Sequence, residues 1–167
     1  DIGIVVGVPA WIQILMEKIL KYHKAKNIHE IWPNLMVYVH GGVSFYPYRK
    51  GFEKLLGRPI YYIETYLASE GFIAFQAYHN RRSMRLVLNN GIFYEFVPFE
   101  GKNFDANGEI NPDAETFLID EVEEGKEYAL LISTCAGAWR YLIGDVIKFT
   151  SLEECEIVIT GRTKHFL

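Results

Sequence analysis

Apolar residues recur along this chain in two different rhythms, and the change falls close to residue 71. Residues 2–8 form a β-branched, Gly-punctuated run that Pro9 closes, which predicts a buried strand. Trp11, Ile12, Leu15, Ile19 and Leu20 then return at three- and four-residue spacings, with Gln13, Glu17, Lys18 and Lys21 between them. That period predicts an amphipathic helix. Asn27 stands where it would cap a short second helix over residues 28–32, which Pro33 ends. A strand over 35–40 is broken by Gly41-Gly42, and helical spacing resumes over 46–56 until Gly57-Arg58-Pro59. Residues 60–66 are strand-like again. Alternation of this kind predicts an α/β fold, with a mostly parallel sheet and flanking helices in residues 1–71.

From residue 72 the helical period disappears. Short strands are predicted over 72–78, 84–88, 92–98, 127–134, 145–150 and 155–160, separated by Asn, Gly, Asp and Glu. Asn89-Asn90-Gly91 marks a hairpin, because Asn and Gly both tolerate positive φ. Residues 72–167 therefore read as an antiparallel β-rich subdomain, either a sheet or a small barrel. The polar stretch 100–115, rich in Gly, Asn, Asp and Pro, reads as a mobile surface loop. No internal repeat is present.

Half of the 167 residues are hydrophobic and 15% are aromatic, enough for one core or two small lobes. A net charge of −4 argues against a nucleic-acid binder and against a polybasic membrane-surface protein, both of which need a positive surplus. No apolar run reaches the roughly 18–20 residues that cross a bilayer. Cys135 and Cys155 lie in apolar, β-like surroundings without a CxxC, so they read as buried reduced thiols of a cytoplasmic protein. The chain begins at Asp1, directly before an apolar run, and ends on Gly161-Arg162-Thr163-Lys164-His165-Phe166-Leu167, so it is expected to be an internal piece of a larger protein.

Two segments carry the densest chemistry. Tyr66-Leu67-Ala68-Ser69-Glu70-Gly71 sets a hydroxyl and a carboxylate just past a parallel strand, where open α/β sheets bind ligands. Glu70 there suits Mg²⁺, which takes one or two carboxylates together with substrate phosphate. The plain alternative is a polar turn with a solvated glutamate. Trp139-Arg140-Tyr141-Leu142-Ile143-Gly144-Asp145-Val146 offers Asp145 at a Gly-Asp turn, where a carboxylate can accept from both ribose hydroxyls. Its alternative is a hairpin turn. His40-Gly41-Gly42-Val43-Ser44 gives a flat ligand access to backbone, and Arg162 and Lys164 offer cations for a ribose or phosphate.

Other chemistries find no support. There is no GxxxxGK[ST], GxGxxG or GxSxG, and no His/Cys/Asp cluster with zinc spacing. His23 and His29 read as surface residues, and His40 alone is near a candidate site. Phe93, Tyr94, Phe96 and Phe99 read as packing, and Arg81, Arg82 and Arg85 as a solvated rim.

Taken in order, strand-Gly-Gly, Tyr-x-x-Ser-Glu-Gly, Arg-Tyr-x-x-Gly-Asp-Val and Gly-Arg-x-Lys resemble the acyl-adenylate-forming superfamily. The wording of Tyr66 to Gly71 and of Trp139 to Val146 is most similar to the auxin-responsive acyl-acid amido synthetase family, especially its bacterial members. Ile31-Trp32-Pro33-Asn34-Leu35 and Gly91-Ile92-Phe93-Tyr94-Glu95-Phe96 extend the similarity along the chain. The resemblance implies ATP-dependent activation of a small carboxylic acid, then transfer of the acyl group to an amino acid. It implies that Tyr66 lies against adenine, that Ser69 is near the phosphates and that Glu70 holds Mg²⁺. Gly41, Gly42 and Val43 would approach the nucleotide, Asp145 would grip the ribose with help from Arg162, and Lys164 would mark the hinge to a C-terminal lid. Val8, Pro9, Trp11 and Ile12 would belong to the acid pocket.

The family's upstream phosphate loop and its lid lie outside these residues, so the chain alone is expected to be inactive without the rest of its polypeptide. An acyl-CoA ligase, a non-catalytic module binding a nucleotide or aryl acid, and a structural scaffold piece are the competing readings.

Overall fold

The computed structural model describes residues 2–164. They form two compact units. The first takes the residues up to Leu67 together with Tyr78–Arg81, and the second takes Ala68–Ala77 and the residues from Arg82 onward. Among the described residues no helix is long and apolar enough to cross a membrane.

The first unit is a three-stranded parallel sheet with helices between its strands. β1 (Ile4–Val6) leads to α1 (Pro9–His23), then to β2 (Val37–Gly41), α2 (Tyr46–Glu53) and β3 (Tyr61–Ala68). β2 lies between the other two, with Val5 opposite Tyr38 and Tyr38 opposite Tyr62. Pro9 opens α1, where its missing N–H costs nothing, and Lys24 closes it in the left-handed region at φ 54°. Met16, Ile28, Leu35, Tyr38, Phe45 and Phe52 form the core, against which Ile12, Ile19 and Leu20 pack from α1. Tyr38 stacks on Phe52 with ring centroids 4.5 Å apart, and its hydroxyl donates to the Gly7 carbonyl at 2.9 Å.

Four expectations change here. β1 is an edge strand rather than a buried one, with Ile4 60% and Val6 65% exposed. The second helix shortens to a single 3₁₀ turn, Ile28–Glu30, because the Asn27 side chain does not cap it and donates instead to Glu30 at 3.2 Å. The helix over 46–56 ends at Glu53, since Leu55 and Leu56 tighten into three-residue turns and pack onto the core. His29 is not a bare surface residue. Its Nε2 donates to the Leu35 carbonyl and its Nδ1 accepts from the Gly57 amide, both at 3.0 Å.

The second unit is an antiparallel sheet, the open alternative to a barrel. Its strands are β4 (Gly71–Phe75), β5 (Met84–Leu86), β6 (Ile92–Pro98), β7 (Glu127–Thr134), β8 (Tyr141–Ser151) and β9 (Glu156–Arg162), in the order β4-β5-β9-β8-β7-β6. β7 lies between β8 and the edge strand β6 and is apolar almost throughout, and its Leu130 and Ile132 are fully buried along with Phe96, Ile147, Phe149 and Ile157. Buried Glu156 is satisfied by the Ser83 hydroxyl, which donates at 2.7 Å.

β6 and β7 match their predicted bounds, while β4 and β5 are shorter and β8 starts four residues earlier than expected. Both cysteines are free, but neither is buried: Cys135 is exposed and Cys155 half-buried, because each sits in a turn between strands. Arg85 is not a solvated rim residue, as it pairs with Glu154. Phe93 and Phe99 are exposed, whereas Tyr94 and Phe96 pack as expected. Residues 100–115 are not a loose loop. Phe104 bridges to Ile110, and the buried Asn103 amide donates to the Pro98 carbonyl at 2.9 Å.

Candidate functional site

In the second unit, β8 and β9 bring together residues far apart in sequence. Gly144 takes φ 88°, which only glycine adopts at little cost, and bends β8 just before Asp145. The bend lets the Gly144 carbonyl accept from the Thr163 amide at 2.8 Å. Asp145 stands opposite Arg162 in the ladder, and the Arg162 Nε lies 3.1 Å from Asp145 Oδ1. The Asp145 side chain is only 18% exposed, against 57% for Arg162. Asp145 is therefore inside a strand and paired across it, not at the hairpin turn that Gly-Asp suggested.

A cavity of about 270 Å³ opens beside this pair, lined by Glu109, Tyr141, Gly144, Arg162, Thr163 and Lys164 among others. The Tyr141 hydroxyl donates to the Glu70 carboxylate, which raises the phenol pKa and ties Glu70 to the cavity wall. Lys164 pairs with Glu109. Of the residues singled out in the sequence, Arg162 and Lys164 thus line the cavity, Asp145 pairs with Arg162, and Glu70 bonds to Tyr141 of the cavity wall. Ser69 and Glu70 form the two-residue turn that precedes β4.

The remaining sequence candidates belong to the first unit. Tyr66 lies within β3, not at its end, and is buried. Gly41 is opposite Thr65, and any Cβ there would overlap the Thr65 carbonyl oxygen. Its neighbour Gly42 has open space but φ 80°, so it serves the turn by conformation alone. Val43 is exposed beside it. Val8 precedes the first residue of α1, Trp11 is 71% exposed, and Ile12 leans on Gly7 and the core. His40 is buried against Phe45, with ring centroids 4.6 Å apart, and burial lowers its pKa to about 4.

Glu109 lines the same cavity, and nothing in the sequence singles it out. The Asp105-Ala106-Asn107-Gly108 run does carry a turn signal, since an Asp side chain readily accepts from amides just ahead of it. Nothing local indicates that this turn docks on residues 163 and 164.

Residues 85–162 match the GH3 family central domain. This segment belongs to the GH3 family. The GH3 resemblance also runs through individual relatives. A jasmonoyl-L-amino acid synthetase, GH3.5 of Oryza sativa subsp. japonica, is 31% identical over 130 residues, which cover 72% of this chain and 22% of that protein. An indole-3-acetic acid-amido synthetase, GH3.4 of Arabidopsis thaliana, is 39% identical over 64 residues, covering 38% and 10%. Thus the chain spans well under a third of the length of these relatives.

Among solved structures, the GH3.15 acyl acid amido synthetase shares the fold with a TM-score of 0.59 at 17% identity, over 82% of this chain and 24% of that one. A Vibrio cholerae adenylation domain, AlmE, solved with glycyl-adenosine-5'-phosphate, gives 0.54 at 14% identity, over 96% and 31%. The GH3 segment therefore has the fold of adenylate-forming enzymes, as its motifs implied.

Proposed function

We propose that this chain is part of an ATP-dependent acyl-acid amido synthetase that adenylates a small carboxylic acid and passes the acyl group to an amino acid. The observation that carries this reading is the Asp145–Arg162 pair beside a cavity whose wall residue Tyr141 bonds to Glu70, in a GH3 segment.

In the first half-reaction an acid oxygen attacks the α-phosphorus of ATP and pyrophosphate leaves. In the second, the amine nitrogen attacks the acyl carbon and AMP leaves. Bringing two anions together makes positioning and charge stabilisation the main tasks of the protein. Asp145 accepts from the ribose hydroxyls, and Arg162 holds its carboxylate in that direction. Tyr66 is assigned to adenine, Ser69 to the phosphates, and the backbone of Gly41, Gly42 and Val43 to the nucleotide's approach. Val8, Trp11 and Ile12 are assigned to the acid, and Lys164 to the hinge.

Among the described residues no cluster of three His, Cys, Asp or Glu side chains exists to hold a metal ion. Glu70 would offer one carboxylate oxygen to Mg²⁺, an ion that commonly takes only one or two protein carboxylates beside substrate phosphate and that would offset phosphate charge there. Residues 1–71 supply the α/β portion and residues 72–167 the β-rich portion of a larger cytoplasmic enzyme. The unpaired backbone of edge strand β1 suits pairing, and its exposed Ile4 and Val6, on one face, suit cover, by further chain of the same polypeptide. Alone, the 167 residues are inactive on this reading.

The test is acid-dependent exchange of pyrophosphate into ATP by the full-length protein with Mg²⁺. Exchange that requires an acid and collapses in Glu70→Ala and Asp145→Ala supports the proposal. A folded protein with no exchange on any aryl or aliphatic acid would leave a non-catalytic binding module. A thiol acceptor outcompeting every amine in the second step would point to an acyl-CoA ligase.

A further inference from the structure

The turn that carries Glu109 is built for its position. Asp105 Oδ1 accepts from the amides of Asn107 and Glu109, both at 2.8 Å, and the Asp105 amide donates to the Glu109 carbonyl at 2.9 Å. Gly108 takes φ 73°, and a Cβ there would collide with the Thr163 carbonyl, so the turn is seated directly on the backbone before Lys164. These contacts fix the Glu109 backbone while its side chain, 57% exposed, reaches Lys164, 36% exposed, at the cavity wall.

We propose that Glu109 is a positioning residue that competes with an anionic ligand for Lys164. It holds the ammonium at the cavity and yields it when a phosphate-bearing ligand enters. An exposed ion pair of this kind contributes little to stability, so giving it up is cheap. A phosphate-bearing ligand brings more negative charge than one carboxylate, and it enters a wall that already holds Arg162 and Lys164. The carboxylate therefore lowers the affinity for phosphate and keeps Lys164 in place while the cavity is empty. This inference rests on the nucleotide reading above and adds to it a residue that sets how strongly the phosphate end is held.

The test is calorimetric binding of ATP and of adenosine to the full-length protein, its Glu109→Gln variant and, as a second form of the same deletion, Glu109→Ala. Removing the carboxylate should tighten ATP by about two- to fivefold and leave adenosine unchanged, with the gain shrinking at high salt. Adding Lys164→Gln to Glu109→Gln should erase the gain. ATP affinity that stays the same or weakens, or ATP and adenosine shifting together, overturns the inference while leaving the nucleotide site standing. Binding of neither ATP nor adenosine by the folded wild-type protein removes the nucleotide reading and the inference with it.

Discussion

Arg162 and Asp145 face each other across the β8–β9 ladder, with the guanidinium Nε 3.1 Å from the carboxylate. The arginine is more than half exposed, so the pair adds little to folding and its value lies in where it points the carboxylate. If Asp145 accepts from the ribose, Asp145→Asn should weaken ATP binding by about 10- to 100-fold, the usual worth of a hydrogen bond to a charged group. The same variant should lose the preference for ATP over its 2′,3′-dideoxy analogue. Wild-type protein that binds the two nucleotides equally would remove the ribose from Asp145.

Tyr141 gives Glu70 its direction. Its hydroxyl donates to the carboxylate, and the raised phenol pKa keeps that proton in place well above neutral pH. Tyr141→Phe leaves the ring and removes only the donor. ATP binding should then need several-fold more Mg²⁺ for half saturation, in the direction expected when a metal ligand loses its supporting hydrogen bond. The melting temperature should not move. A Mg²⁺ titration identical to wild type would show that the Glu70 carboxylate is oriented by something else.

The sequence was most readable where local chemistry decides structure. β6 and β7 have their predicted ends because Asn89-Asn90-Gly91 and Pro98 bound one, while an unbroken apolar run identifies the other. β8 was half lost for the opposite reason. Gly144 reads as a turn, yet it is a bend inside a strand whose first residues pair with Leu131 and Ile132 of β7. Residue types and order alone single out Glu70, Asp145, Arg162 and Lys164, and the structure pairs Asp145 with Arg162 and sets Arg162 and Lys164 on one cavity wall. Glu109 needed the knowledge that a turn 55 residues earlier sits on Lys164, which no local pattern contains. The same limit hid His29, whose partners Leu35 and Gly57 are brought to it by the core.

Two adjacent glycines should answer differently to the same substitutions. Gly41→Ala places a methyl on the Thr65 carbonyl and should cost about 1–3 kcal/mol, because backbone cannot yield as a side-chain tip can. Gly42→Ala meets no atom closely but pays for a left-handed backbone, about 1–2 kcal/mol. Asparagine tolerates that conformation, so Gly42→Asn should recover part of the loss, whereas Gly41→Asn should be worse than Gly41→Ala. Chemical unfolding of the four variants measures this, and equal recovery at both positions would contradict the packing explanation for Gly41.

His40 makes the first unit sensitive to acid. Its ring is 4% exposed, lies against Tyr38 and Phe45, and has no hydrogen-bond partner at Nδ1, so charging it inside the fold is costly. Burial lowers its pKa from 6.5 to about 4. Above pH 6.5 the imidazole is neutral in folded and unfolded chains alike, and stability is full. Between pH 6.5 and about 4 only the unfolded chain takes up the proton, so stability falls by up to about 3 kcal/mol and then levels off. Glu64, opposite His40 in the β2–β3 ladder, works the other way. Burial raises its pKa, so the folded chain gains its proton first and acid stabilises that group. The histidine displacement is the larger of the two, and the net slope should follow it. Denaturant unfolding of wild type and His40→Gln, from pH 7.5 down to 4.5, should show the variant losing most of the acid-dependent decline. An undiminished decline in His40→Gln would assign the acid sensitivity to other groups.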